Sequence, residues 1–122
     1  MTIPGLMEIA FGSFEMKSYN ELKEEADYQA WIEDKTGDVL CPGGESRNHY
    51  KKRVAESYAE MLDMIRQSGS RSALAVCHAG TIAAIMAFHW PDIGNYYNWL
   101  PQPGRGYTLV YDAEKPVCYK RI

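Results

Sequence analysis

The spacing of hydrophobic residues predicts two amphipathic helices in the first half of the chain. The first begins after Ser18, which together with Glu21 has the spacing of a capping box. Its apolar stripe consists of Tyr19, Leu22, Ala26 and Ala30. The second begins at Ser46 and ends at residues 68–70, and its apolar stripe consists of Tyr50, Val54, Tyr58, Met61 and Ile65. Residues 36–44, which contain a Pro-Gly-Gly breaker, are predicted to form a loop.

The second half of the chain mixes strand and helix patterns. The uninterrupted apolar run Ala73–Cys77 predicts a strand buried on both faces of a parallel sheet. A helix is predicted over Thr81–His89, and an irregular connection over residues 95–106. Tyr107–Tyr111 and Val117–Ile122 predict the two strands of a hairpin. The expected fold class is therefore α/β, with a small sheet of about three strands flanked by helices.

Composition narrows the class of protein. A length of 122 residues suits one domain, expected to span residues 1–122. The net charge of -3 argues against nucleic acid as a partner, and no apolar run is long enough to cross a membrane. The start of the chain has no signal-peptide pattern, and its three scattered cysteines suit reduced thiols. We expect a cytoplasmic protein.

Three segments of the chain carry a family resemblance. Residues 6–15 read LMEIAFGSFE, residues 42–46 read PGGES with Arg53-Val54 further along, and residues 76–80 read VCHAG. They are similar to the motifs L-x-E-x-x-x-G-x-[WF]-E-G, P-G-G-E-S…R-V and V-S-H-G-G of the histidine phosphatase superfamily. Their order and spacing suit that family, which has the phosphoglycerate mutase-like fold. Met16 and Ala79 stand where the family motifs have glycine.

Two further family motifs have no counterpart in this sequence. The family's nucleophile is the histidine of an R-H-G motif, and a S-P-L-x-R-A segment supplies another phosphate-binding arginine. No arginine of this chain is followed by histidine, and no serine is followed by proline. Both motifs belong upstream of the Glu8 segment. The expectation is a truncated phosphoglycerate mutase-like fold that resembles the C-terminal two-thirds of a histidine phosphatase domain.

The resemblance assigns chemistry to two residues. It makes Glu8 the general acid that protonates the leaving alcohol and later activates water; the alternative is a solvent-exposed loop glutamate. It makes His78 the second histidine, which contacts the transferring phosphoryl group; the alternative is a histidine that caps a strand. The backbone N–H groups of Ala79 and Gly80, at the start of a helix, would bind phosphate with His78. We expect Glu8 and His78 to face one cleft.

Other residues have structural interpretations beside functional ones. Cys77 next to His78 suggests a Cys–His nucleophile, but alternation along a strand favours a buried structural thiol. His49 and His89 lack spaced partners for a metal, so neither a metal nor a cofactor is expected. Lys51, Lys52 and Arg53 are expected to form a solvated helix face; the alternative is that Arg53 braces the Pro42–Ser46 loop by pairing with Glu45. The aromatic residues Tyr96, Tyr97 and Trp99 are expected to pack in a core or interface rather than line a pocket.

Two functions remain open at this point. The resemblance implies a phosphatase that acts on a small phosphorylated metabolite or binds inorganic phosphate, with activity impaired because the nucleophilic histidine is absent. The alternative is an inactive family member that serves as a structural or binding module. With either function, the absence of the neighbouring R-H-G strand would leave the Ala73–Cys77 strand with an open edge, which predicts a homodimer with an interface rich in Tyr, Trp and Met.

Overall fold

The structure, a computed structural model, describes residues 1–122. Its regular elements are α1 (Tyr19–Leu22), α2 (Ala26–Glu33), α3 (Arg47–Gln67), α4 (Ala79–His89), β1 (Tyr107–Asp112) and β2 (Lys115–Arg121). Short 3-10 turns lie at Pro4–Leu6, Gly12–Phe14 and Tyr96–Trp99. The α/β fold class with a small sheet is confirmed.

The first predicted helix is split in two. The Ser18 hydroxyl accepts the Glu21 N–H and the Glu21 carboxylate accepts the Ser18 N–H, so the capping box forms and α1 begins as expected. The break between α1 and α2 ends at Glu25, whose backbone is extended. Residues 23–25 are all charged, so this stretch places no apolar side chain against the core.

Helices α3 and α4 pack together and form the main core. The Ser46 hydroxyl accepts the His49 N–H and caps α3, and the predicted stripe buries Tyr50, Val54 and Tyr58 against Ala84 of α4. A second face of α4 buries Ala83 and Met86 against Trp99. Because α4 is covered on both faces, the residues at its N-terminus have a fixed position.

The predicted hairpin is confirmed. Strands β1 and β2 pair antiparallel, with Tyr107 opposite Arg121 and Val110 opposite Cys118, and a register shift after Val110. Exposure alternates along β1, so Tyr107, Leu109 and Tyr111 lie half-buried on the inner face. The hairpin covers the side of α4 that carries Met86.

The strand predicted over Ala73–Cys77 is wrong, and the sheet has two strands rather than three. These residues have no regular secondary structure, and Leu74 and Val76 are 87% and 91% exposed. A strand needs a neighbouring strand to take its backbone hydrogen bonds. The only strands in the structure, β1 and β2, pair with each other, so the apolar run has no partner.

Candidate active site

The loop that carries Glu8 is held by one arginine. Arg53, on α3, donates from Nη1 to the carbonyl oxygens of Gly5 at 2.7 Å and Met7 at 3.1 Å. Its Nη2 donates to the Glu8 carbonyl at 3.3 Å. The guanidinium therefore takes up carbonyl groups of the Pro4–Leu6 turn and of the irregular residues that follow it.

The same guanidinium forms an ion pair with Glu45. Its Nη2 lies 2.6 Å from Oε1 and its Nε 3.0 Å from Oε2 of the carboxylate. Hydrogen bonding to Arg53, followed by the Ala10 N–H, lowers the pKa of Glu45 to about 2. The structure confirms the alternative for Arg53, its pairing with Glu45, and not the solvated helix face. The pair ties the Pro42–Ser46 loop to the Glu8 loop.

Backbone contacts complete the junction between the two loops. The Glu45 N–H donates to the Ala10 carbonyl at 2.8 Å, and the Ser13 N–H donates to the Pro42 carbonyl at 2.8 Å. A Cβ added to Gly44 would overlap the Ala10 carbonyl oxygen. Glycine at this position therefore allows the two backbones to meet.

The Glu8 side chain is positioned by groups on α3 and on its own loop. The Tyr50 hydroxyl donates to Oε1 at 2.8 Å, and the Ile9 N–H donates to the same oxygen at 3.0 Å. Burial raises the pKa of Tyr50 above its usual value, so the hydroxyl stays protonated as a donor. Thr81 lies 3.2 Å from the Tyr50 hydroxyl and donates to the Leu6 carbonyl at 3.1 Å, which connects the loop to α4.

The Glu8 carboxyl group lies against the first turn of α4. A Cβ added to Gly80 would overlap both carboxylate oxygens and would lie 2.6 Å from the Tyr96 hydroxyl. Burial, together with the charge of Glu8, raises the pKa of Tyr96 to about 12. Ala79 and Gly80 are the first two residues of α4, so their N–H groups have no acceptor within the helix. Glycine is required here for the carboxyl group to approach.

His78 is the N-cap residue of α4. Its backbone is extended, with φ -68° and ψ 153°, and its exposed side chain makes no capping hydrogen bond. His78 and Glu8 line the same cleft, whose volume is about 510 Å³. The structure therefore brings together the four residues singled out from the sequence, Glu8, His78, Ala79 and Gly80.

The alternative candidates have structural positions. Burial raises the pKa of the Cys77 thiol, with a smaller contribution from Glu8, so the thiol is a poor nucleophile near neutral pH. His49 lies 2.6 Å from Glu45, and His89 packs among aromatic rings that include Tyr58 and Tyr111. Glu15 accepts the Phe11 N–H at 3.2 Å and lines the rim of the cleft.

Sequence reasoning missed the two tyrosines nearest to Glu8. The spacing places Tyr50 only in an apolar stripe and predicts that Tyr96 packs, whereas Trp99 does pack in the core as expected. A signal was available for Tyr50, because a tyrosine on the buried face of a helix needs a partner for its hydroxyl. For Tyr96 the sequence held no such signal, since the residue lies in an irregular connection.

The sequence model of the histidine phosphatase superfamily (branch 1) matches residues 1–120. Because the match covers nearly all of the chain, the protein belongs to the histidine phosphatase superfamily. No curated protein and no solved structure matches the chain.

Two further findings concern the whole chain. None of the helices combines the length and the apolar character needed to cross a membrane. The structure has no group of three or more His, Cys, Asp or Glu side chains that could hold a metal ion.

Proposed function

We propose that this chain carries the proton-transfer and phosphate-binding part of a histidine phosphatase active site for a small phosphomonoester. One observation carries the proposal. The Glu8 carboxyl group, fixed by Tyr50, lies against the N-terminus of α4, where His78 opens onto the same cleft. A phosphate seated there would lie between a carboxyl group and an imidazole.

Each group has a defined role in this proposal. Ala79 and Gly80 offer N–H groups to the phosphate oxygens, and the helix dipole adds favourable charge. His78 donates a hydrogen bond to the phosphoryl group and stabilises the charge that develops on it. The Tyr50 hydroxyl and the Ile9 N–H both bind Oε1 of Glu8, so Oε2 is free to carry the proton given to the leaving oxygen.

Turnover needs a further group. The family's nucleophile is the histidine of an R-H-G motif, and these 122 residues contain no Arg-His pair. Glu8 and His78 supply proton transfer and charge stabilisation, which do not replace a covalent nucleophile. We therefore expect the purified chain to bind phosphate weakly and to hydrolyse an aryl phosphate no faster than buffer does.

A phosphate titration followed by NMR tests this proposal. We expect the His78 ring signals and the Ala79 and Gly80 amide signals to shift at millimolar to tens of millimolar phosphate. Glu8→Gln should bind phosphate at least as tightly as the unaltered chain, because the amide keeps the shape of the side chain and cannot become negatively charged. Glu33→Gln, at the exposed end of α2, is the matched control and should change nothing.

Two outcomes contradict the proposal. If the His78, Ala79 and Gly80 signals do not shift at tens of millimolar phosphate, phosphate does not bind at this site. Hydrolysis of an aryl phosphate by the purified chain above the rate in buffer would contradict the expectation that the chain lacks a nucleophile.

A second candidate function is favoured by the exposed apolar run. Residues 73–77 have no backbone hydrogen-bond partner, and the side chains of Leu74 and Val76 face water. We propose a binding module in which this run pairs with the same run of a second copy. Antiparallel pairing centred on Ala75 would put Leu74 of one copy opposite Val76 of the other. It would also keep the two Arg71 side chains apart, whereas parallel pairing would place them side by side.

Light scattering and cysteine cross-linking test this pairing. We expect a dimer mass at micromolar concentration, and rapid oxidative cross-linking of Ala75→Cys, because Ala75 would lie opposite its own copy. The variant is made with Cys118→Ser, which removes the exposed native thiol. Ala59→Cys, on an exposed position of α3, is the control and should not cross-link. A strictly monomeric chain would rule out this second function.

A further inference from the structure

The cleft that holds Glu8 and His78 has one wall made of aromatic side chains. Beside the two candidate groups, it is lined by Phe11, Phe14, Tyr28 and Trp31. Phe14 and Leu22 are buried and form its base, whereas Phe11, Tyr28 and Trp31 are half-buried and reach its surface. A half-buried ring in a cleft offers apolar surface to a ligand.

These rings hold one another in place. Phe11 meets Trp31 edge to face with centroids 5.9 Å apart, and Phe14 meets Tyr28 edge to face at 5.4 Å. Phe14 also contacts Trp31 at 6.1 Å. The wall is therefore assembled before a ligand arrives, so little ordering is needed on binding.

Arg47 fixes Trp31 from outside the cleft. Its guanidinium lies 4.1 Å from the centre of the indole ring, and its Nη1 donates to the Trp31 carbonyl at 2.8 Å. Arg47 is not among the residues that line the cleft. The cation thus braces the wall from behind, and the wall itself stays apolar.

Few polar groups are available in this cleft for a ligand beyond the phosphate contacts. Apart from Glu8 and His78, its charged residues are Glu15 and Lys17, both exposed. Glycerol phosphate has little apolar surface to bury against this wall, so it would gain less from the rings than an aromatic ester does. An aromatic alcohol would instead bury its ring against the wall.

We propose that this cleft selects phosphomonoesters with an aromatic alcohol, and that Trp31, Tyr28 and Phe11 determine this specificity. The inference rests on the proposed function, because it takes the phosphate to lie between Glu8 and His78. The ester oxygen would then face Glu8 while the ring of the alcohol lies on the aromatic wall.

Comparison of three ligands tests the inference without requiring turnover. Phenyl phosphate, glycerol 2-phosphate and inorganic phosphate are titrated separately, and the His78 ring and the indole N–H of Trp31 are followed by NMR. We expect phenyl phosphate to bind about tenfold more tightly than the other two, which corresponds to burial of part of one ring. The indole signal should shift with phenyl phosphate alone.

Variants test whether the aromatic wall causes the preference for phenyl phosphate. Trp31→Ala should reduce the binding of phenyl phosphate to that of inorganic phosphate, whereas Trp31→Phe, which keeps a ring, should retain most of the preference. Phe88→Ala removes an exposed ring outside the cleft and should leave the preference unchanged. If Trp31→Ala does not fold, the ratio of affinities in the unaltered chain and in Trp31→Phe decides the question.

The outcomes separate the two proposals. Equal binding of all three ligands at His78 would overturn the aromatic preference and leave the proposed phosphate site standing. Tighter binding of glycerol 2-phosphate than of phenyl phosphate would also overturn it. Absence of any response to all three ligands would overturn the phosphate site, and the preference with it.

Discussion

The two sides of the candidate site are held in different ways. On the Glu8 side, Arg53 joins two loops through hydrogen bonds to Gly5, Met7, Glu8 and Glu45. On the His78 side, the residues that lead into the site, 71–77, have no regular structure and no strand partner. Only the packing of α4 fixes His78. One side of the site is thus organised by local charge and hydrogen bonding, and the other follows an apolar run that has no strand partner.

The contrast shows which parts of a fold need distant strands. A loop whose carbonyl groups are satisfied by one guanidinium keeps its shape within 122 residues. An apolar run such as residues 73–77 has no local means of satisfying its backbone, because a strand takes its hydrogen bonds from another strand. Substitutions on the two sides should therefore have very different effects.

Loss of Arg53 should have the largest effect. Arg53→Met leaves the Glu45 carboxylate without its cation and three carbonyl groups without a donor. The Arg53 and Glu45 side chains are only 23% and 13% exposed. We therefore expect Arg53→Met to lower the free energy of unfolding by about 3 kcal/mol, near the lower end for a buried pair. Chemical denaturation measures it. Lys52→Met, which removes the adjacent exposed cation, should cost less than about 0.5 kcal/mol.

The pH dependence of the free energy of unfolding tests the same Arg53–Glu45 pair. The pKa of Glu45 falls from 4.5 to about 2 on folding, so the unfolded chain binds more protons between these values. Its contribution to stability is present above pH 4.5 and is lost as the pH falls toward 2. In Arg53→Met this part of the pH dependence should shrink. An unchanged profile in the variant would mean that Arg53 does not hold the carboxylate.

Valine occurs both in the packed core and in the unpaired apolar run. Val54 of α3 is 1% exposed and Val76 is 91% exposed. Val54→Ala should cost about 2 kcal/mol through a lost contact and a cavity, whereas Val76→Ala should cost close to zero in the monomer. Denaturation at low protein concentration measures both. A large loss in Val76→Ala that grows with protein concentration would instead reveal the self-pairing proposed above.

The same contrast explains what the sequence could predict. Helix α3, the Ser18 capping box and the hairpin follow from local spacing, caps and turns, and all three form. The resemblance located Glu8 and His78, which line one cleft. The strand over Ala73–Cys77 failed because an apolar run shows that a segment suits a sheet without showing that a neighbour is present. Tyr96 was missed because its approach to Glu8 depends on the path of an irregular connection.

A smaller effect is expected at the contact between Glu8 and α4. Gly80→Ala gains about 1 kcal/mol of helix propensity but drives a Cβ into the Glu8 carboxyl group. We expect a net loss of about 1 kcal/mol, because a clash of this kind costs about 1–3 kcal/mol. The added Cβ would also overlap the Tyr96 hydroxyl, so the background is Glu8→Ala with Tyr96→Phe. In that background both overlaps with oxygen are gone, and Gly80→Ala should become stabilising. A double-mutant cycle by thermal denaturation measures this reversal, and additive effects would contradict the contact.

The smallest effect is expected at Met16, on the Glu8 side of the site. This residue has φ 61°, the left-handed region that favours glycine, and its side chain is fully exposed and packs against nothing. Met16→Gly should therefore stabilise the chain by about 0.5–1 kcal/mol, since the relief of about 1–2 kcal/mol of backbone strain exceeds the entropy that glycine adds to the unfolded state. Met7→Gly, at an exposed methionine with φ -64°, is the matched control. It should destabilise the chain slightly because no strain is relieved, and equal effects of the two substitutions would show that the strain at Met16 is negligible.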